Sequence, residues 1–392
     1  MEITPICGES FGVRAFCFYV KTPDATLLLD PGCALGPRWH YKTPHPFEFQ
    51  KQRNLTRKVV DYANKSDFLF ISHYHHDHFK PFLFDNFYIF SNDEICSKLY
   101  ANKIIFAKNT KKFINFNQKK RGKKFYHDIN DKGNESSLNS QLIRIGIEKL
   151  RCNSNHKNDY SVKRETRLLA EIHQNIHKRL FNYICCVGDT TIIFPRDFLH
   201  GIHPKTKVYI QPIIINSGNT TFYHFADVQG MPNHQDRGDL LYLRDKIDYC
   251  LDNIGFDTRN NQHILAMGGP ITYIFKDRQT PIQDNKIVRN AFSNTNLIVQ
   301  AFNHTIIDHH IVRDKNFGNY IGSFREIAED AGKSLNLMNK RLEMLHSYSK
   351  NNEQILECNR EILFKLYPPS AKFLDWSRLA RENRMNVDPP RS

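Results

Sequence analysis

Residues 70–82 read FISHYHHDHFKPF, which puts four histidines and an aspartate into the six positions from His73 to His78. His73 and His75 are two residues apart, so in an extended segment both imidazoles leave the same face. Asp77 and His78 follow on what reads as a turn opening a helix, aiming two more donors at a neighbouring point. One short segment can thus begin two adjacent metal sites. Imidazole and carboxylate donors without a thiolate suit a catalytic Zn²⁺ or similar ion that keeps one position open for water. The bland alternative is a solvated polar loop.

The element that must position the cluster is DFLFIS (67–72), a short apolar run of buried-strand type. Ahead of it, VRAFCFYV (13–20) and ATLLLDPG (25–32) read as strands split by the turn-like KTPD, and a helical stretch covers about 51–64. Strand signals resume at YICCVGDTTIIF (183–194), VYIQPIIIN (208–216) and TTFYHFADV (220–228), followed by a helix near 238–252. HILAMGGP and HTIIDHHIVRD are two further apolar runs ending in Gly or His. Residues 131–180 begin turn-rich and continue with helical spacing of Leu and Ile, which reads as an inserted loop plus helix. From about Ser323 the chain reads as helical, ending in a Pro-punctuated tail over 346–392. Strands mixed with helices give an α/β class. The expected organisation is a catalytic domain over 1–345, interrupted at 131–180, followed by that tail.

Composition narrows the setting. At 392 residues, 40% hydrophobic and 12% aromatic, the chain has material for a sizeable core. No apolar run approaches the ~20 residues that span a bilayer, and MEITPICGES lacks the features of a signal peptide. The expectation is a soluble, cytoplasmic protein. The nine cysteines include no C-x-x-C pair, so neither a disulfide framework nor a thiolate zinc site is signalled. Cys185 and Cys186 read as small buried hydrophobes in a strand. Net charge is +14, and residues 101–126 hold nine Lys or Arg and no acid. Such a run is either a solvated face or a surface for nucleic acid, phosphorylated substrates or anionic surfaces.

The His-x-His-x-Asp-His cluster, with the strand-ending Asp30 of LLLDPG, resembles the metallo-β-lactamase superfamily. The ordered motifs SFGVRAF, LLLDPGCALGPR, PHPFEF, ISHYHHDH, FADVQG, MGGPITY and IIDHHIVRDKNF further resemble an uncharacterised, mostly archaeal family of metallo-β-lactamase-fold hydrolases. The resemblance spans about 1–130 and 181–345, leaving 131–180 without a counterpart. It implies an αββα sandwich of two mixed sheets flanked by helices. It makes His73, His75, Asp77 and His78 ligands, Tyr74 and His76 spacers, and Asp30 a support that binds no metal itself. It also implies a third-motif His, which is His200 or, as a weaker alternative, His203; Leu199 stands where that family has Pro. The bridging carboxylate would be Asp227, preceded by Ala226 where Ser is commoner. Asp189 in the Gly-Asp pair is the rival and is rejected, because its run fits better as a strand leading into RDFLHG. The last ligand is His309 or His310, with Asp308 or the other His orienting ligands or moving protons. His224 and His304 sit inside strand-like runs and read as packed or surface residues. MGGP reads equally as backbone near a substrate and as a tight turn.

The implied chemistry is hydrolysis, with Asp77 and Asp227 at its centre and two divalent ions, zinc or alternatively Mn or Fe, ionising water at neutral pH. The substrate would be an ester, lactone, thioester or phosphodiester. A nuclease acting on RNA or DNA is the second reading, motivated by the basic run. A non-enzymatic, metal-containing nucleic-acid-binding protein is the third.

Overall fold

Alternation of side chains along the strands decides the layering. A computed structural model describes residues 1–8, 11, 13–35, 46–82, 88–135, 141–145, most of 168–176, 180–201, 208–231, 233–269, 286–307 and 309–310. Strands β1 (Glu2–Cys7), β2 (Cys17–Lys21), β3 (Thr26–Leu29), β4 (Phe68–Ile71), β5 (Ile104–Lys108) and β6 (Gln141–Ile145) form one sheet in that order. The first three pair antiparallel and β3 to β6 pair parallel. Strands β7 (Phe181–Val187) and β8 (Thr190–Pro195) form a hairpin, and β9 (Phe198–Leu199) pairs with β10 (Tyr209–Ile210). Strands β11 (Ile213–Ser217), β12 (Thr220–Gln229), β13 (Gln262–Gly268) and β14 (His304–Ile306) complete a second sheet of order β14-β13-β12-β11-β8-β7.

Leu27, Leu29, Phe70 and Phe106 of the first sheet share one apolar cluster with Phe194, Ile213, Ile215, Phe222 and Ala266 of the second. Phe18 meets Phe222 at 5.6 Å and Phe70 meets Phe194 at 6.0 Å between ring centres. The alternate residues Leu28, Leu69, Ile71 and Ile105 face a different cluster with residues of helix α1 (Pro46–Ala63), α2 (Asp93–Tyr100) and α3 (Phe116–Glu135). On the other side, Tyr223, Phe225, Leu265 and Met267 pack with α4 (His234–Asn253) and α5 (Lys286–Ala301). Strands buried on both faces read as continuous apolar runs, which is why FLFI and TLLL carry no polar alternation. Each such side chain, fully buried, stabilises the fold by about 1.5–3 kcal/mol. The architecture is α/β with mixed sheets.

Several elements depart from expectation. YICCVGDTTIIF is a hairpin, turned at Gly188 with φ +55°. Cys185 and Cys186 lie in β7 but are half-buried. Within 131–180, the end of α3 and the edge strand β6 are regular structure, because Leu142 and its neighbours find the open edge of β5; Leu168, Ile172 and Ile176 join the second sheet's outer cluster. His203, Asp308, Pro270 and the stretch from 311, including the tail 346–392, lie outside the described residues. Among the described residues no helix is long and apolar enough to cross a membrane.

Candidate metal centre

Ligand candidates gather where strands end, the usual place for sites on parallel strands. β4 runs into His73–His78, β9 into His200, β12 carries Asp227, and β14 leads to His309 and His310. His73, His75, His200 and Asp227 form one group of possible metal donors; His78, Asp227 and His309 form a second, and Asp77, His309 and His310 a third. Donor atoms within each group lie within 4.8 Å of one another.

Asp227 is the hub. Its Oδ2 lies 2.5 Å from His200 Nε2 and 3.8–3.9 Å from ring nitrogens of His73, His75 and His78. Its Oδ1 lies 2.6 Å from His310 Nε2 and 3.6 Å from His309 Nε2. His78 Nε2 and His309 Nε2 are 3.0 Å apart, and Asp77 Oδ2 is 3.7 Å from His309 Nε2. His309 and His310, read as alternatives for the last ligand, both reach Asp227. Both lie beyond β14, and the left-handed backbone of His310, φ +56°, lets both rings approach Asp227. Asp30 (φ +47°) and Ala226 (φ +45°) are likewise left-handed, a conformation costing about 1–3 kcal/mol each that persists where surrounding contacts fix it. Between His224 and Gln229 the register of β12 against β13 shifts, and Asp227 lies within that irregularity.

The residues could hold a metal ion. His200 Nε2 and Asp227 Oδ2 are buried and meet without hydrogen-bond geometry, and a bound cation would satisfy both. Burial pushes the His73 imidazole well below its ordinary value and His75 down to about 4, keeping both neutral as ligation requires. Burial would raise Asp77 and Asp227, but the imidazoles, with Arg14 beside Asp77, hold both carboxyls far below the usual range. For His78, burial opposes the charge, and Asp30, Asp77 and Asp227 outweigh it, carrying the group up to about 9. A dication would replace that proton on Nε2, because Nδ1 is held by Asp30 at 2.9 Å.

Asp30 belongs to none of the donor groups. Fully buried, it accepts from Ser72 N (2.8 Å), Ser72 Oγ (2.7 Å), His78 Nδ1 (2.9 Å) and His224 Nε2 (2.9 Å). Tyr74 turns away from the donors, its backbone N–H donating to Gln118 Oε1 and its hydroxyl to Lys108 O. His76 lies over Phe79 at 5.5 Å and belongs to none of the donor groups. Asp189 sits in the β7–β8 turn with its N–H on Asp24 Oδ2, and it belongs to none of the groups either. His304, on β14, is half-buried. Gly269 N donates to His309 O, so the start of MGGP braces the ligand loop.

Gly32 makes the closest approach in the site. A Cβ there would stand 2.2 Å from His78 N and 2.3 Å from Asp77 C. Gly32→Ala is expected to destabilise the chain by about 1–3 kcal/mol and to lower metal content. Urea unfolding with metal analysis checks both, and an unchanged midpoint with full metal would contradict this packing.

Compared with known proteins, the chain is 30% identical over 362 residues to UPF0282 protein MJ1629 of Methanocaldococcus jannaschii, covering 92% of this chain and 99% of the relative. The chain belongs to the UPF0282 family. UPF0282 proteins of Thermococcus gammatolerans and Pyrococcus furiosus are each 27% identical, over 344 and 359 residues, covering 88% and 90% of this chain and 93% and 94% of theirs. No family model matches the chain. These relatives are archaeal, as the ordered motifs implied.

In this UPF0282 chain two residues enter the site that had no expected part in it. Arg14 donates through Nε to Asp77 Oδ2 at 3.0 Å and lies 2.8 Å from His310 Nδ1. Its signal was the quoted motif SFGVRAF, which by itself names no partner. His224 is packed, as expected, between Phe16 and Phe18, yet it also holds Asp30. Its inward place on β12, alternate to Tyr223 and Phe225, was the available clue.

Proposed function

We propose that the chain is a metallo-β-lactamase-like αββα hydrolase carrying two divalent ions, zinc being the best match to an imidazole–carboxylate donor set. The observation that carries this reading is the single carboxylate, Asp227, shared by two clusters of imidazoles, all buried except the half-buried His75. His73, His75, His200 and Asp227 would hold one ion; Asp77, His78, His309 and Asp227 would hold the other, with His310 on the opposite oxygen of Asp227. When bound, the ions supply water ionised near neutral pH and neutralise charge developing on the substrate oxygen.

The chain's own residues set the rest. Asp30 fixes the ring of His78, and His224, kept neutral by burial, donates to Asp30 from behind. Arg14 keeps the Asp77 carboxylate ionised and oriented, the state in which it would serve as a metal ligand. Phe16, buried in the core between the sheets, stacks on the His309 ring at 5.7 Å and backs it. Substrates fitting this chemistry are esters, lactones, thioesters and phosphodiesters.

The test is purified full-length chain, with metal counted by plasma mass spectrometry, assayed on p-nitrophenyl esters, lactones and bis(p-nitrophenyl) phosphate. Turnover of at least one substrate is expected, lost on chelation and restored by Zn²⁺. Absence of bound metal, or turnover indifferent to chelation, would sink the reading.

A further inference from the structure

The basic run absorbed by neither the fold nor the metal centre is the segment between β5 and the middle of α3. Lys111, Lys112, Lys119, Lys120, Lys123 and Lys124 are all exposed. Only Lys124 of these has an ion-pair partner among the described residues, Asp128 at 2.9 Å. Between the lysines stand Phe113, 56% exposed, and Phe116, 79% exposed. Phe113 is held left-handed, φ +50°, and meets Tyr209 edge-on at 5.5 Å. Scattered exposed apolar residues need no explanation. Two phenyl rings three residues apart, one in a strained conformation, inside a stretch of six lysines without an acid, point to a ligand with both flat apolar faces and negative charge.

The segment is bolted to the metal centre at both ends. Arg121 Nη1 donates to Tyr74 O at 3.3 Å, and Gln118 Oε1 accepts from Tyr74 N at 2.6 Å. A Cβ on Gly122 would lie 2.6 Å from the Tyr74 ring, so the helix is pressed onto the residue between His73 and His75. At the other end Tyr209, beneath Phe113, pairs with Leu199 next to His200. The surface therefore borders the His73, His75 and His200 side of the centre.

We propose that residues 111–124 form a docking platform for single-stranded nucleic acid, lysines taking phosphates and Phe113 and Phe116 stacking on bases, that leads a phosphodiester toward the metal centre. Duplexes keep their bases stacked inward, so phenyl rings favour the unpaired strand. This names the substrate class for the hydrolase reading and rests on that reading for cleavage, though not for binding.

The test is fluorescence anisotropy on the full-length chain with labelled 16-nucleotide single-stranded RNA and DNA, the matching duplexes, and, by sedimentation, vesicles of phosphatidylserine and phosphatidylcholine. Single strands are expected to bind, with a log–log salt slope of about −4 from six lysines at roughly 0.7 each. Lys119→Glu with Lys120→Glu is expected to weaken binding at least tenfold and flatten the slope by about 1.4. Phe116→Ala is expected to weaken it roughly five- to a hundredfold with the slope unchanged. Lys98→Gln, on α2 and already paired with Glu94, is expected to leave it within twofold. Equal affinity for duplex, vesicle binding without strand binding, or indifference to the platform variants would each overturn the proposal. If ester turnover is metal-dependent while no strand binds, the platform falls and the hydrolase reading stands. If strands bind as described while no substrate is ever turned over, the hydrolase reading falls and the platform stands.

Discussion

Asp227→Asn is expected to reduce bound metal from roughly two ions per chain to at most one, and to lower kcat/KM by on the order of a thousandfold, about 4 kcal/mol of transition-state stabilisation. The substitution keeps the side chain's shape and removes its charge. Among the described residues Asp227 is the one carboxylate within 4 Å of ring nitrogens from His73, His75, His78, His200, His309 and His310, so none of them can take over the bridge. Asp77 lies on the His309 side and is engaged by Arg14. The paired control is Asp189→Asn, expected to change neither metal content nor turnover, because that side chain is in a distant hairpin turn. Plasma mass spectrometry and steady-state assays decide it. Two ions retained with turnover within tenfold of the parent would remove Asp227 from the centre.

Asp30→Ala is expected to destabilise the chain by about 3–5 kcal/mol, because it strips a buried charged partner from His78 and leaves the donors of Ser72 and His224 unanswered. Metal affinity is expected to fall about 10–100-fold, since His78 loses the group that orients its ring. A pH signature separates this from general damage. Burial opposes ionisation of Asp30, yet His78 and His224 hold its carboxyl down to about 2 from 3.8. Its contribution to stability is thus present above the unfolded value of 3.8 and is lost as pH falls through about 2. His78 is carried up to about 9 from 6.5, so its contribution is full below 6.5 and is lost as pH rises through about 9. The metal-free parent is therefore expected to lose stability from about pH 6.5 toward 9, and the Asp30→Ala variant to show a much flatter dependence there. Urea midpoints across that range, in chelator, check it. An equally steep loss in the variant would mean that other groups hold the His78 proton.

How much was legible depended on chain distance. His73, His75, Asp77 and His78 are within six positions, and their spacing alone brings them to neighbouring points. His200, Asp227 and His309 stood out only through ordered motifs, because each is an ordinary strand-end residue until its partners are known. The signals at Arg14 and His224, a motif and an inward strand position, named no partner: Arg14 lies 63 residues from Asp77 and 296 from His310. The turn at Gly188 and the edge strand β6 were missed for a related reason, since a hairpin and a sheet edge are pairing events that a local apolar pattern does not record.

By itself, then, the sequence determined the α/β class, the buried apolar runs of its strands, the first ligand segment and the lysine-rich run, all of which follow from patterns within a few residues. Only the tertiary structure decided that both His309 and His310 face Asp227, that Asp30 is clamped by His78 and His224, and that the basic run sits on Tyr74 beside the donors. These are matters of packing between segments. Two sheets closing over a shared core bring strand ends to one point, and left-handed residues at Asp30, Ala226 and His310 lie where those ends meet.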